Sequence, residues 1–475
     1  MARVDAPDPT ERGRRSAMLF HTWIFVLFFL LFYPVYLAVK GTRLRDPWVL
    51  AASYVFYGWW NPFYLLLITY STVVDYFAVL RMAKSGRRKL WLALAVGNNL
   101  CLLSLFKYAG FVVRNLNALL DALGADYFIP DPGWLLPVGI SFYTFQSMSY
   151  TIDCYRGRIQ PEGSFFRFAT FVSLFPQLVA GPIQRASSLL PQLRRPTRIS
   201  VSDVTDGLSL FLVGLFKKLA LADYLAVYVD HVYASPADHQ APALLLATFA
   251  FGWQIYFDFS GYTDMARGIA RMLGFRLMVN FNHPYLATSL GDFWNRWHIS
   301  LSTWFKDYVY VPLGGNRHGK FNTYKNMFLT MVISGVWHGA AWKFVIWGTL
   351  HAMGRVLTRE LEATAFYRER IPRMVKQALV FAFVTFAWIF FRARSLDDAW
   401  LIVTGIFSSS WTDPAFPVLA LGLVLLVWAY QFIYESKAAG TLRLAPVRVG
   451  LAVLMILYLA IVPGSKGQPF YYFQF

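Results

Sequence analysis

The chain has 475 residues, of which 57% are hydrophobic and only 15% are charged, and it contains 43 Phe, 27 Tyr and 17 Trp. Soluble domains have about 45–50% apolar and about 25% charged residues, so this composition excludes a set of ordinary soluble domains. Lys and Arg exceed Asp and Glu by a net charge of +18, an excess that is typical of the cytoplasmic loops of membrane proteins. We therefore predict an all-α polytopic membrane protein that contacts membrane lipid and binds no nucleic acid.

Apolar stretches long enough for a helix to cross the bilayer predict about eleven spans. A polar segment, 1–17, precedes them, and no repeat or linker divides the remainder, so we predict one membrane domain over 18–475. Between 134 and 185, Pro and Gly interrupt the apolar text, which predicts re-entrant or interfacial helices around an interior cavity. The uninterrupted stretches are 18–39, 47–60, 62–80, 90–106, 208–230, 243–265, 327–350, 375–391, 416–434 and 447–462.

His338 is the first candidate for chemistry. It lies near the middle of the predicted span 327–350, which contains no carboxylate and only Lys343 as a second ionisable residue. An ionisable side chain inside a span is costly and is a functional hypothesis by default. Gly335 and Gly339 have a spacing that lets a second helix approach closely, so we expect the imidazole to face a packed interior or a cavity. The alternative is a structural histidine that is hydrogen-bonded within the core.

The segment 292–313, DFWNRWHISLSTWFKDYVYVPL, is the second candidate. On a helical wheel its aromatic residues share one face and its polar residues the other, which predicts one helix at the membrane interface. His298 falls at the border of the two faces, where a structural role is equally consistent with the pattern. The turn 314–320 that follows matches a phosphate-binding loop only in part, because Phe321 replaces the required Ser or Thr; a solvated loop is the better interpretation.

Several motifs are absent from the sequence. No G-x-S-x-G motif, no D-x-D pair and no closely spaced pair of histidines occurs. These absences argue against a serine hydrolase, a metal-dependent transferase of nucleotide sugars and a metal site.

The segments 292–317 and 334–352 resemble the two signature regions of the membrane-bound O-acyltransferase (MBOAT) superfamily, and the signature region as a whole spans 290–351. Five further segments resemble the bacterial branch that acetylates alginate and other polysaccharides, in the same order along the chain. They are YGWWNPFYLLLI at 57–68, LPVGISFYTFQSMSYTIDCYRG at 136–157, LFPQLVAGPIQR at 174–185, FGWQIYFDFSGYTDMARGIARMLGF at 251–275 and the terminal FYYFQF.

The resemblance implies an MBOAT fold with a central tunnel, His338 as the catalytic histidine and His298 as a second active-site histidine. It further implies acetyl-CoA as the cytoplasmic acyl donor, transfer across a bacterial inner membrane, and an extracellular polysaccharide such as alginate as the final acceptor. A periplasmic SGNH-type esterase and the polysaccharide synthesis or export machinery are the expected partners. Arg296, Lys306 and Arg317 are expected to bind the donor, and Asn295, Trp337 and Gln184 to line the tunnel.

Two other classes of function are compatible with buried polar residues and broken helices. A secondary transporter predicts two related halves, and no such internal symmetry is visible. A non-catalytic subunit of a polysaccharide export complex predicts that replacing His338 is tolerated.

Overall fold

The computed structural model describes residues 18–134, 136–195, 197–411, 418–436, 438–442, 444–461 and 471, and this part of the chain is helical and contains no strand. The predicted polar segment 1–17, the first two residues of the predicted span 416–434 and the last residue of 447–462 lie outside the described residues. The α-helices are α1 Trp23–Val39, α2 Arg45–Gly58, α3 Phe63–Lys84, α4 Arg88–Ala122, α5 Ile140–Tyr155, α6 Phe165–Ser173, α7 Phe175–Leu178, α8 Ala186–Arg194, α9 Val201–Phe216, α10 Asp223–Ala234, α11 Ala241–Met272, α12 Leu290–Arg296, α13 Ile299–Phe305, α14 Gly319–His338, α15 Trp342–Ala363, α16 Arg373–Arg392, α17 Leu396–Ser408, α18 Val418–Glu435, α19 Ala439–Leu442 and α20 Ala445–Ile461.

Three helices among the described residues, α3, α4 and α16, are long and apolar enough to cross a membrane, and α1, α20 and the segment Val424–Glu435 are shorter apolar helices. The side chains of Trp23, Leu27 and Leu30 on α1 are exposed, as lipid-facing side chains would be. A multi-pass membrane protein accounts for these helices, but the predicted number of about eleven spans is not confirmed. The predicted break between 47–60 and 62–80 is confirmed, since α2 ends at Gly58 and Pro62 is the N-cap of α3.

The predicted span 327–350 is wrong as one continuous helix. Its residues belong to α14 and α15, which are separated by the turn Gly339–Ala341. Gly339 is extended, with φ −170° and ψ 154°, and a Cβ at this position would overlap the ring of Phe344. His338 is therefore the last residue of α14 and does not lie in the middle of a span.

The prediction of one interfacial helix over 292–313 is also wrong. Trp297 is extended and His298 has φ +42° and ψ +52°, so the backbone leaves the helical region between α12 and α13. A π-helical segment, Lys306–Tyr310, follows α13. Most of the aromatic face of the wheel is nevertheless buried: Trp294, Trp297, Leu301, Trp304 and Phe305 belong to the core, and Tyr308 is half-buried.

The chain divides into two compact units, and the prediction of a single membrane domain over 18–475 stays a prediction. The first unit comprises the described residues within Met1–Ser104, Leu135–Asp203 and Ala270–Arg276. Its interior contains Phe168, Phe171 and Phe175, all fully buried, and a polar cluster in which the Asn99 amide donates to the Asp75 carboxylate at 2.9 Å. Such pairing offsets the cost of burying a carboxylate in an apolar unit.

The second unit comprises the described residues within Leu105–Trp134, Val204–Ile269 and Leu277–Phe475. Its core is built around four fully buried tryptophans, which are Trp253, Trp297, Trp347 and Trp388. Gly335 allows α14 to pack closely on α15, because a Cβ there would lie 3.2 Å from the Cα of Gly348 and would overlap the carbonyl of Phe344. The close helix approach that the glycine spacing predicted is thus confirmed. Within α11, Arg267 forms a local ion pair with Asp264 at 3.0 Å.

Candidate active site

His338 is buried at the point where α14 ends. Its ring lies in an aromatic cage, with centroid distances of 5.0 Å to Trp337, 5.0 Å to Trp347 and 5.4 Å to Phe391, each approached edge to face. The sequence produces this arrangement because Gly339 ends α14 while Trp347, on α15, packs back across the close helix contact. The imidazole is therefore fixed at a helix end and shielded from bulk water by large rings.

His298 lies near the same tryptophan. Its ring centroid is 6.3 Å from that of Trp337, so Trp337 contacts both histidine rings. Phe259 packs against the other side of His298 at 4.6 Å. The structure thus brings three predicted site residues together, namely His298, Trp337 and His338.

Asn280 holds His298 in its left-handed conformation, which costs of order 1–3 kcal/mol for a residue other than glycine. The backbone carbonyl of Asn280 accepts from the Ile299 N–H at 2.9 Å, and its side-chain oxygen accepts from the Ser300 N–H at 3.1 Å. The Nδ1 atom of His298 lies 3.2 Å from the same side-chain oxygen. That oxygen can only accept, so the contact is a hydrogen bond when Nδ1 carries the proton, and the lone pair of the neutral ring then lies on Nε2.

His351 is a third buried histidine, which the sequence analysis did not single out. It lies on α15, fully buried, with ring centroids 4.7 Å from Trp347 and 5.1 Å from Trp294. Trp347 consequently contacts both His338 and His351. Lys107, His298 and His351 all lie within electrostatic range of the His338 ring. Within the described parts of the chain, no three His, Cys, Asp or Glu side chains are grouped so that they could hold a metal ion.

A cavity of about 420 Å³ extends along α14 and includes Ser334, one helical turn before His338. Asn295 and Lys306, two of the predicted site residues, line it together with Arg355 and Arg359 on α15. A Cβ at Gly291 would lie 2.6 Å from the guanidinium carbon of Arg355, so the glycine makes room for that side chain. None of the described lining residues is acidic, and the cavity therefore suits an anionic ligand with an apolar arm.

A second cavity, of about 370 Å³, lies at the turn 339–341 and the start of α15. It is lined by Ala340, Ala341, Trp342 and Lys343, together with Arg114, Arg394 and Ser395. Ser334, which lines the first cavity, lies four positions before His338 in the sequence. Ala340, which lines the second cavity, lies two positions after it. His338 itself is not among the lining residues of either cavity.

The remaining predicted site residues lie elsewhere. Arg296 is ion-paired with Asp292 and with Glu435, at 2.7 Å each, and does not line the first cavity. Arg317 is exposed in the turn before α14 and is also outside that lining. Gln184 is buried in the first unit, where its amide donates to the Pro182 carbonyl at 3.2 Å. The donor-binding and tunnel-lining roles given to these residues stay predictions.

Residues 158–397, half of the chain, match the model of the MBOAT, membrane-bound O-acyltransferase family. The chain belongs to this family. It is 44% identical to the probable alginate O-acetylase AlgI of Pseudomonas aeruginosa over 80% of the chain and 74% of that protein. It is 39% identical to the probable alginate O-acetylase AlgI of Pseudomonas putida over 94% of the chain and 99% of that protein. It is 35% identical to a peptidoglycan O-acetyltransferase of Helicobacter pylori over 83% of the chain and 80% of that protein.

Membership of the family identifies the chain as a membrane O-acyltransferase of the alginate O-acetylase type. The matched segment contains both histidines, their tryptophan neighbours and the residues that line the two cavities, apart from Phe111, Arg114 and Asn115 of α4.

Proposed function

We propose that the protein transfers an acetyl group from cytoplasmic acetyl-CoA across the bacterial inner membrane, for O-acetylation of an extracellular polysaccharide such as alginate. The observation that carries this proposal is the buried aromatic cage at the end of α14, where Trp337 contacts both His298 and His338. A donor and an acceptor that arrive from opposite sides of a membrane need separate approaches to one reacting point, and the two cavities, lined by residues near His338 in the sequence, are the proposed approaches. The names of the relatives, which include alginate O-acetylase and peptidoglycan O-acetyltransferase, support a polymer as final acceptor.

His338 is the proposed general base. A neutral imidazole accepts the proton of the acceptor hydroxyl, whose oxygen then forms a bond to the acyl carbon. The carbon–sulfur bond of the thioester breaks, and the departing thiolate takes the proton from the imidazolium. His298 positions the acceptor, because its Nε2 lone pair can accept a hydrogen bond while Nδ1 is committed to Asn280.

The first cavity is the proposed donor site. Lys306, Arg355 and Arg359 supply positive charge for the phosphate groups of the donor, and Met327 and Met331 supply an apolar wall for its pantetheine arm. The basic turn 314–320 leads into α14, and the segment that follows α15 contains Arg368, Arg370 and Arg373. Short loops rich in Lys and Arg are cytoplasmic, which supports entry of the donor from the cytoplasm.

The second cavity is the proposed acceptor side. The immediate acceptor is the hydroxyl of a periplasmic SGNH-type partner, which passes the acetyl group to the polysaccharide outside the cell. The synthesis or export machinery of that polymer is the expected larger assembly.

The test is the O-acetyl content of the polysaccharide in cells whose own copy of the gene is deleted. These cells receive the wild type, His338→Gln, or His231→Gln as a matched control, because His231 is an exposed histidine on α10. We expect His338→Gln to lower the rate of acetylation by about 10²–10⁴-fold, the usual contribution of a general base, at an unchanged protein level in the membrane. Full acetylation by His338→Gln would contradict the proposal and favour a non-catalytic subunit.

A further inference from the structure

Helix α4 holds the end of α14 that carries His338. The last carbonyl groups of any helix lack partners within the helix, and an unsatisfied carbonyl is costly in an apolar surrounding. Here the Lys107 ammonium donates to the Trp337 carbonyl at 2.6 Å, and the Tyr108 hydroxyl donates to the Val336 carbonyl at 3.0 Å. Two of the terminal carbonyls of α14 are therefore satisfied by neighbouring residues of one other helix.

The same face of α4 also holds the start of α15. Asn115 accepts a hydrogen bond from the indole N–H of Trp342 at 2.9 Å, and the ring of Phe111 lies 5.9 Å from that of Trp342. Positions 107, 111 and 115 are spaced by four residues, so they share one side of the helix. Contacts from one face of α4 thus bracket the turn 339–341 on both sides.

Lys107 makes a second contact that ties it to His338. Its ammonium lies 5.4 Å from the centroid of the Trp337 ring, the ring that contacts both histidines. A cation is favourable at the C-terminal end of a helix and over an indole face. Lys107 lies within α4, one of the helices long and apolar enough to cross a membrane, where a lysine is costly and is a functional hypothesis by default.

We propose that Lys107 is a positioning residue for His338, acting through the carbonyl and the ring of Trp337. Its ammonium fixes the last turn of α14, and with it the direction in which the imidazole faces the reacting atoms. This inference rests on the proposed role of His338 as the general base. A displacement of about 1 Å at a reacting group can cost about 10²-fold in rate, so a single hydrogen bond that fixes a helix end can matter to the reaction.

The chain offers a matched control. Lys376 donates to the Arg368 carbonyl at 3.1 Å and lies 5.0 Å from the centroid of the Tyr367 ring. It therefore makes the same two kinds of contact as Lys107, but at the π-helical segment Phe366–Arg370. Loss of Lys376 removes a lysine, a carbonyl contact and a ring contact without disturbing the end of α14.

The experiment uses inside-out membrane vesicles from cells that carry the complete polysaccharide machinery, with radiolabelled acetyl-CoA as the probe. Incorporation of label per copy of protein gives kcat, and its dependence on acetyl-CoA gives KM. We expect Lys107→Met to lower kcat by about 10–100-fold with KM within twofold of wild type. Lys107→Arg, which restores a cationic donor, should recover at least a third of the rate, and Tyr108→Phe should lose about threefold. Lys376→Met should stay within twofold of wild type.

Each result has a definite meaning. If Lys107→Met keeps kcat within twofold while His338→Gln is inactive, the positioning role is overturned and the proposed function stands. If His338→Gln remains active, the proposed role of His338 as general base is overturned, and the positioning role of Lys107, which depends on it, is overturned as well. If the Lys107 variants lose folded protein in proportion to activity, Lys107 only stabilises the fold and the proposal is again overturned. Tyr108→Phe, which retains the lysine, measures the same helix end if Lys107→Met does not fold.

Discussion

Two regions of the second unit treat positive charge in opposite ways. In the first region, the ionic centre formed by Lys218, Asp223 and Asp258, the buried ammonium lies 2.8 Å from each of two buried carboxylates. The backbone N–H of Tyr471 donates to Asp258 at 2.7 Å. In the second region, the candidate active site, Lys107 contacts a carbonyl and a ring. The described lining of the proposed donor cavity contains three cations and no acid, although Arg355 lies 3.9 Å from the carboxylate of Glu362 outside that lining.

We infer from this difference that the charges of the ionic centre stabilise the fold, whereas the cations of the cavity serve to bind a ligand. In a buried ion pair with further hydrogen bonds the charges compensate one another, so the pair does not attract a further ligand. A cavity lined by cations without carboxylates lowers the energy of an incoming anion, and its own stability gains nothing from the excess. The ionic centre should therefore matter to folding, and the cavity cations to the affinity for the donor. Variants at three places in the molecule test this separation.

The largest expected effect is on folding, from Lys218→Met. Removing the ammonium leaves two buried carboxylates without their cation, and breaking a buried pair in this way costs about 3–5 kcal/mol. We expect little folded protein, measured as the monodisperse fraction after extraction in mild detergent. Adding Asp223→Asn and Asp258→Asn to Lys218→Met should restore part of that fraction, because the uncompensated charge is removed. Normal yield of the single variant would show that the ionic centre is not structural.

The sequence predicted the membrane class, the family and the break before Pro62, because these depend on composition, on ordered motifs and on the lack of a donor in proline. It did not predict the breaks at Trp297–His298 and at Gly339. Hydropathy records which side chains are apolar, and it does not record a backbone that leaves the helical region between apolar residues. His298 adopts φ +42°, which no local pattern around it indicates.

Lys107 and His351 were not predicted as site residues, and the reason is the same for both. Lys107 lies one residue beyond the predicted span 90–106, and His351 lies one residue beyond the predicted span 327–350. Both α4 and α15 extend past those boundaries, to Ala122 and to Ala363. Both residues therefore fall outside the apolar stretches, although extension of each predicted span by one helical turn includes them.

A smaller effect is expected at the donor cavity, where the comparison predicts altered affinity and normal folding. Arg355→Gln and Arg359→Gln should each raise KM for acetyl-CoA by about tenfold, since a hydrogen bond to a charged group contributes about 1.5–3 kcal/mol. The change in kcat should stay within twofold, because neither residue contacts His338. The same vesicle assay measures both constants, and Lys320→Gln, an exposed lysine paired with Glu360, serves as the control. An unchanged KM in both arginine variants would remove the cavity from the donor path.

The smallest effect is expected at Glu162, a compensated charge of the first unit, and it depends on pH. Burial alone would raise the pKa of Glu162, but the Ser164 N–H and the guanidinium groups of Arg194 and Arg167 outweigh it and hold the pKa below its usual value. Arg194 and Arg167 lie 2.8 Å and 2.9 Å from the carboxylate. Because the pKa is lower in the folded state, the carboxylate stabilises the fold above the unfolded pKa of about 4.3. That stabilisation is lost as pH falls through the folded pKa.

Glu162→Gln should therefore cost about 1–3 kcal/mol at pH 7, and the difference from wild type should shrink below about pH 4. Thermal midpoints of the purified protein at pH 7, 4 and 3, at one heating rate, measure this. Glu369→Gln, at an exposed glutamate, should show no difference at any of these pH values. Equal destabilisation by Glu162→Gln at all three would mean that shape and hydrogen bonding, and not charge compensation, are what Glu162 contributes. Stabilisation of the fold by charge compensation would then be expected at Lys218 and not at Glu162.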